Sequence, residues 1–317
     1  MLKIHKPQLS VVICTYNRFT LLQEAIESLV NQTANKRTYE IIIIDNGDHS
    51  KIKRTVLDYQ KKYLFPKISY FHQVKTGLSF SRNLGIRKAL GNFVGFLDDD
   101  AKADLRWVDV ALAIFRKKVL VGILGGPIYP IYQGRKPVWF KDEYETRSWG
   151  KQERNLKRNE TFSGSNIFIK KEIFTKFGLF DERLGMSGKN LSLGEETSFF
   201  LKIWKNTSKN NLFYYSPELL VYHLVNKMKM TISYQLKRSF IAGQVWYIKN
   251  QSSNVIMVLY SFAATSIYLI YHLIISILTI WQYKYYQRFL LERGQQISFA
   301  VGYLFAVLGI HINVRQR

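Results

Sequence analysis

The chain has 317 residues and carries 46 Lys and Arg against 23 Asp and Glu, a formal net charge of +23; its pI is near 9.9. A surface this basic points to phosphate-bearing partners, on nucleotides, on nucleic acid or on the anionic face of a membrane. The lone cysteine, Cys14, excludes an internal disulfide and fits a reducing compartment. Met1 to Gln8 lacks the apolar core of a signal peptide, so the start of the chain is expected to stay in the cytoplasm.

Leu9 to Asn17 is a β-rich apolar run ending in Thr15, Tyr16 and Asn17. Leu21, Leu22, Ala25, Ile26, Leu29 and Val30 then recur at helical spacing. Glu40 to Ile44 contains four consecutive isoleucines, as in a strand buried on both faces of a parallel sheet, and it ends at Asp45. A strand over Ile68 to Phe71 and a helix over Phe80 to Leu90 lead to Asn92–Leu97, a further buried strand that runs into Asp98-Asp99-Asp100. A helix is predicted just after, from Asp104 and the apolar positions Leu105, Val108, Leu112 and Phe115. This alternation implies right-handed crossovers and an α/β fold with a doubly wound, mainly parallel sheet flanked by helices.

Val119 to Leu124 reads as another strand. Gly125 to Gly150, rich in Gly, Pro and aromatics without regular period, reads as a substrate-facing loop region, and 151–160 as a solvated segment. A strand near Asn166 to Ile169 and a helix from Lys170 follow. Gly185 to Gly194 then forms a loop opening on a helix that begins Glu195-Glu196, with Phe199, Phe200 and Ile203 on its apolar side. Leu219 to His223 is the last predicted strand. Beyond Lys249 the composition changes: Val255 to Trp281 holds no Asp, Glu, Lys or Arg, and a bilayer crossing takes about 20 such residues. Ser261, Thr265, Tyr268, His272, Ser276 and Thr279 place a weakly polar stripe on that helix. Ile297 to Ile312 carries a small-residue face at Gly302, Ala306 and Gly309, so the two are expected to pack stripe to stripe in or on a membrane. The domain expectation is 1–250 catalytic and 251–317 membrane-associating.

Three strand ends carry polar residues: Thr15-Tyr16-Asn17, Asp45 and Asp98-Asp99-Asp100. In a parallel sheet they converge on one edge, where ligands bind. Adjacent carboxylates repel unless a cation offsets them, and hard Mg²⁺ or Mn²⁺ shared with substrate phosphate is the natural partner. A solvated acidic turn or helix cap is the bland alternative. No Gly-x-Gly-x-x-Gly follows the first strand and no Gly-x-x-x-x-Gly-Lys occurs, which excludes the usual dinucleotide fold and P-loop enzymes.

The fragments Val11 to Arg18, Ile44-Asp45-Asn46, Gly77 to Gly85 with Ser81-Arg82-Asn83, Phe96 to Asp100, Ser163 to Asn166, Phe180-Asp181-Glu182, Gly194-Glu195-Glu196 and His223 stand in an order and spacing that resemble the family 2 glycosyltransferases of GT-A fold. The resemblance implies a metal-dependent, inverting enzyme that moves a sugar from a nucleotide-sugar, a UDP-sugar for preference. The acceptor would be a hydroxyl of a glycan or lipid-linked saccharide in cell-surface polysaccharide synthesis, at the cytoplasmic face of the membrane. It implies that Thr15, Tyr16, Asn17 and Asp45 hold the nucleoside, that Arg82 supports the nucleotide, and that Asp98 and Asp99 meet ribose and diphosphate. Asp100, with Asp98 and His223, would bind Mn²⁺ or Mg²⁺. The catalytic base falls on Glu196, with Glu195 as the alternative, since consecutive helical residues point about 100° apart and only one can face the cleft. Trp139, Trp149, Ser165 and Asn166 are the expected acceptor-binding residues. The competing classes are a nucleotidylyltransferase, whose Gly-rich basic loop is not what Arg18-Phe19-Thr20 offers, and a nucleic-acid-binding protein, for which no docking motif appears.

Overall fold

A computed structural model of the chain describes residues 6–158, 160–186, 190–191, 194–207, 211–250, 254–310, 312 and 314–315. These form two compact units. The first comprises Met1–Ile131, Glu145–Arg183 and Glu195–Leu224; the second comprises Tyr132–Tyr144, Leu184–Gly194 and Val225–Arg317.

The first unit begins β1 (Leu9–Thr15), α1 (Phe19–Val30), β2 (Tyr39–Asp45), α2 (His49–Lys62), β3 (Lys67–His72), α3 (Leu78–Lys88) and β4 (Phe93–Phe96). Every residue of β2 is buried, as the isoleucine run requires for a strand covered on both faces. Then come β5 (Ala101–Ala103), α4 (Trp107–Lys117), β6 (Ile123–Gly125), β7 (Ile128–Tyr132), β8 (Arg154–Asn155), β9 (Ile167–Lys170) and α5 (Lys171–Phe177). The short β10 (Asn190–Leu191) precedes α6 (Glu195–Lys205), β11 (Phe213–Tyr215) and β12 (Val221–Val225). The main sheet has eight strands in the order β3-β2-β1-β4-β9-β6-β11-β8. β3, β2, β1 and β4 run parallel, whereas β9 lies antiparallel between β4 and β6. Leu9, Val11, Ile13, Ile41 and Ile43 point to one face, under α1, α2 and α4. Val12, Ile42, Ile44 and Phe96 point to the other, with Ile86, Phe199 and Phe200. Alternation along each strand thus builds both cores. Gly85 lets α3 close on β1, since a Cβ there would stand 2.4 Å from Val12 Cγ1.

Several expectations shift. Asp100 leads into β5, not directly into a helix; α4 starts at Trp107, and Leu105 stays exposed. The strand expected from Val119 is confined to Ile123–Gly125. Val121 N bonds back to Lys118 O at 3.1 Å in a turn that leaves Val119 and Leu120 in solvent. Gly125–Gly150 holds β7, bridged at Ile128 to Arg147. The segment 151–160 is not merely solvated: β8 pairs with β11, Leu156 is buried, and Arg154 and Glu160 form an ion pair at 2.7 Å. The Gly- and Ser-rich loop of 185–194 falls largely outside the described residues.

The second unit is dominated by α7 (Ile232–Asn250), α8 (Val255–Thr279) and α9 (Tyr286–Val307), with β13 (Val314–Arg315) paired antiparallel to β10. The small residues of α9 meet α7, not α8. A Cβ on Gly302 would lie 2.0 Å from Phe240 O, and one on Gly243 2.0 Å from Phe299 O, so glycine on each helix permits a close backbone crossing. Ser298 Oγ donates to Leu236 O at 2.7 Å across the same seam. Gly309 lies past the end of α9 in the left-handed region, φ +74°. The polar stripe of α8 does face α9 in part: Ser276 and Thr279 are buried and the Tyr268 hydroxyl donates to Gln296. Most of the apolar residues of α8 are exposed. Val255–Gln282, 28 residues, is long and apolar enough to cross a membrane.

Candidate active site

The site lies at the C-terminal edge of the parallel strands, within the first unit. Thr15 and Asp45 are register partners at the ends of β1 and β2, which brings two of the three polar strand ends side by side. Asp45 is fully buried. Its Oδ1 accepts from Gly47 N at 2.9 Å and its Oδ2 from the Tyr70 hydroxyl at 3.0 Å. Tyr16 is exposed, and Asn17 takes a left-handed backbone, φ 56°, with its Oδ1 accepting from Asp48 N at 2.7 Å. Asn46 organises the neighbouring loop, donating to Gln73 O and Lys75 O and accepting from Gly77 N.

The aspartate triplet is divided by its surroundings. β12 pairs antiparallel with β5 so that His223 faces Ala101, one residue beyond Asp100. Pairing therefore brings His223 to a carboxylate 123 residues earlier in the chain, its Nε2 3.0 Å from Asp100 Oδ1 and 3.9 Å from Asp98 Oδ2. Ligand atoms of Asp98, Asp100 and His223 all lie within 4.8 Å of one another, a candidate metal centre. Two carboxylates and an imidazole, at a strand edge that leaves other positions for water and phosphate, suit Mn²⁺ or Mg²⁺. Asp99 turns the other way. Its Oδ2 accepts from Thr15 Oγ1 at 2.8 Å, and its Oδ1 lies 3.1 Å from Arg18 Nη1. Burial pushes the Asp99 carboxyl up to about 7 against the pull of Arg18, with Asp100 adding to the rise. Asp98 is raised as well, by burial first.

The second cluster centres on Arg82 in α3, a guanidinium wholly inside the protein. Its Nη1 donates to Glu195 Oε1 at 2.8 Å and to Glu196 Oε1 at 2.9 Å, and its Nη2 lies 3.5 Å from Asp98 Oδ1. Burial alone would lower its pKa, but Glu196, Glu195 and Asp98 hold it above the ordinary range. The two glutamates open α6, yet they differ: the Glu195 side chain is 5% exposed and that of Glu196 17%. Burial, then the charge of Glu196, pushes Glu195 up to about 8. Gly164 presses against this cluster, where a Cβ would stand 1.9 Å from Glu196 Oε1 and 2.3 Å from Arg82 Nη2.

The structure thus gathers Thr15, Asp98, Asp99, Asp100, His223, Arg82, Glu195 and Glu196 into one charged network. Arg82 is engaged by carboxylates, which is more than the sequence foresaw for it. Asn166 does not offer an open amide: Trp107 Nε1 donates to its Oδ1 at 2.8 Å, and its Nδ2 donates to Pro127 O at 2.9 Å and Leu219 O at 2.7 Å. Its hydrogen-bonding capacity ties together three scaffold segments. Ser165 Oγ is buried without a hydrogen-bond partner. Trp149 is partly exposed, its Nε1 donating to Thr161 O at 3.0 Å. Trp139 belongs to the second unit, edge-on to Phe140. Three site residues escaped sequence reasoning: Arg18, Tyr70 and Gly164. Arg18 and Gly164 lie inside the motif fragments, but a short motif does not reveal what a side chain touches, and nothing local marks Tyr70.

Comparison with known proteins agrees with this geometry. The sequence profile of the family described as "Glycosyl transferase family 2" matches residues 10–178, more than half of the chain. A glucosyl-dolichyl phosphate glucuronosyltransferase of Haloferax volcanii is 25% identical over 244 residues, covering 74% of this chain and 75% of that protein. The succinoglycan biosynthesis protein ExoM of Rhizobium meliloti is 26% identical over 240 residues, 74% and 73% of the two chains. Among solved structures, the mannosyltransferase PcManGT of Pyrobaculum calidifontis, in complex with GDP-Man and Mn²⁺, superposes with a TM-score of 0.63 at 15% identity over 95% of this chain and 88% of that one. The chain belongs to glycosyltransferase family 2 and has the GT-A fold. It is a glycosyltransferase.

Proposed function

We propose that this enzyme moves a sugar, with inversion, from a nucleoside-diphosphate donor to a hydroxyl of a lipid-linked saccharide in cell-surface glycan synthesis, at the cytoplasmic face of a membrane. The observation that carries the reading is the single network joining the Asp98, Asp100 and His223 cluster to Glu196 through Arg82. A cluster for a diphosphate-bound cation and a separately held carboxylate are the two things direct displacement at an anomeric carbon needs. The relative from Haloferax volcanii is named for a dolichyl-phosphate-linked acceptor, and the Rhizobium protein for a polysaccharide. The apolar α8 suits a membrane-borne acceptor.

In this reading Asp45, braced by Tyr70 and Gly47, accepts from the donor's base, with Thr15, Tyr16 and Asn17 beside it. Asp98, Asp100 and His223 would hold Mn²⁺ or Mg²⁺, which would supply positive charge to offset that of the departing diphosphate. Glu196, the more exposed glutamate, takes the proton of the acceptor hydroxyl, and Arg82 holds that carboxylate in position. Glu195 stays in the interior as its neighbour. Trp149 and Ser165 stand by the acceptor, and residues 1–250 form the catalytic domain, with 251–317 associating with the membrane.

The test is transfer by the full-length chain in detergent, using UDP- and GDP-sugars with Mn²⁺ or Mg²⁺ and a polyprenyl-diphosphate-linked acceptor. Glu196→Gln should leave nucleotide and metal affinity near wild type and lower turnover by roughly 10²- to 10⁴-fold. A product of retained anomeric configuration, or full activity in Glu196→Gln, would sink the proposal.

A further inference from the structure

Arg18 precedes the first turn of α1, where its carbonyl accepts from Leu22 N at 3.0 Å. Its side chain reaches into the aspartate triplet. One nitrogen, Nη1, lies 3.1 Å from Asp99 Oδ1 and 3.1 Å from Asp100 Oδ2. Asp100 is therefore shared, with Oδ1 turned to His223 and Oδ2 turned to Arg18. The carboxylates are fixed and the cation is not: the side chains of Asp99 and Asp100 are 6% and 9% exposed, that of Arg18 is 37% exposed. Asp99 is further pinned by Thr15, whereas every side-chain hydrogen bond given to Arg18 goes to this triplet.

Adjacent carboxylates repel one another unless a nearby positive charge offsets them. Arg18 supplies one, and it does so on a carboxylate that also belongs to the candidate metal centre. A divalent cation on Asp100 and a guanidinium on the same carboxylate compete for one negative charge and repel each other across a few ångströms. The side chain can leave without any change of backbone, because only its far end is held. Once displaced, its planar fork would be free to meet phosphate, whose oxygens it matches.

We infer that Arg18 is a resident counter-cation that occupies Asp99 and Asp100 in the metal-free enzyme, yields Asp100 when the divalent cation enters, and then turns to the donor's diphosphate. This rests on the metal-dependent reading given above. It makes Arg18 a brake on metal binding alone and an aid to nucleotide binding once metal is present, two effects of opposite sign that a purely structural ion pair would not produce.

The experiment uses the full-length chain with Arg18→Gln and Arg18→Lys. Mn²⁺ binding is measured by electron paramagnetic resonance without nucleotide, and UDP or GDP binding by calorimetry at saturating Mn²⁺. Arg18→Gln should bind Mn²⁺ alone about tenfold more tightly and the nucleotide about tenfold more weakly, reflecting the loss of one close charge. Arg18→Lys, which keeps the charge but not the fork, should fall between wild type and Arg18→Gln in both measurements, and it decides the matter if Arg18→Gln does not fold. Mn²⁺ affinity at or below wild type in the folded variant overturns the inference and leaves the metal reading intact. No Mn²⁺ binding by the wild type, with nucleotide or without, overturns both.

Discussion

Gly164 stands so close to Glu196 that the smallest side chain would put its Cβ 1.9 Å from the carboxylate oxygen Oε1. The backbone of Gly164 is not in the left-handed region, so space and not conformation demands glycine here. The same Cβ would meet Arg82 Nη2 at 2.3 Å, and neither group can step aside without breaking the ion pair that holds the other. Gly164→Ala should therefore lower turnover by about 10²-fold, the cost of moving a reacting group by an ångström or so. Thermal unfolding should come at a lower temperature as well, because the Arg82 guanidinium whose ion pair is disturbed lies inside the protein. Turnover equal to wild type would show that Glu196 can relocate freely.

Glu195 gives the network a pH signature. Its folded-state pKa is raised from 4.5 to about 8, by burial first and by Glu196 next. The folded chain thus holds a proton that the unfolded chain has released, and stability from this group is complete below about pH 4.5 and lost as pH rises through about 8. Glu195→Gln mimics the protonated form and should remove that loss. In EDTA, the midpoint of thermal unfolding should fall between pH 5 and pH 8.5 more steeply for wild type than for Glu195→Gln. Asp98 and Asp99 are raised in both proteins and drop out of the difference. Parallel curves would mean that Arg82 keeps Glu195 ionised throughout.

Much of this site was legible because its residues end strands. The isoleucine run ending at Asp45 and the apolar run ending at the aspartate triplet gave a parallel sheet and its ligand edge by pattern alone. What pattern could not supply was the partner of each carboxylate. β5 is three residues long and β11 three, too short for a periodicity to register. Pattern alone therefore gave no reason to place His223 against Asp100; only the family resemblance implied that pairing. The partners of Asn166 were hidden for a related reason: they come from Trp107, Pro127 and Leu219, distant in sequence, and a polar residue in a Ser- and Gly-rich fragment looks open until those segments are assembled.

Asn166 consequently carries a stability prediction. Truncation to Ala strands the buried Trp107 indole N–H and the Leu219 carbonyl, each costing about 1–3 kcal/mol when left unpaired, while Pro127 O keeps its bond from Val221 N. Asn166→Ala should lower the free energy of unfolding by roughly 3 kcal/mol or more. Chemical denaturation of the first unit, followed by the slow change of buried tryptophan fluorescence from Trp107, would measure it. A loss below about 1 kcal/mol would return Asn166 to the acceptor side of the argument.

The helices of the second unit can be tested without removing them. Deleting everything after Asn250 would strip α7 of α9, its close-packed partner across Gly243 and Gly302, so a truncated chain would report misfolding as readily as release from a membrane. The exposed face of α8 offers a cleaner probe. Ile256, Leu259, Ile270, Ile274 and Ile277 lie in solvent on a helix whose polar residues Ser276 and Thr279 are the buried ones, the reverse of a helix at home in water. An apolar face of that kind exposed on one helix suits a lipid phase. Replacing those five residues by Gln or Ser should leave the contacts of α7 with α9 unchanged and the circular dichroism near that of wild type. It should also abolish flotation of the chain with vesicles containing anionic lipid. High salt should not reproduce the effect, because charge attraction is screened by salt whereas burial of apolar surface is not. If the substituted chain still floats, or if 1 M salt alone releases the wild type, the basic surface and not α8 holds this enzyme to the membrane.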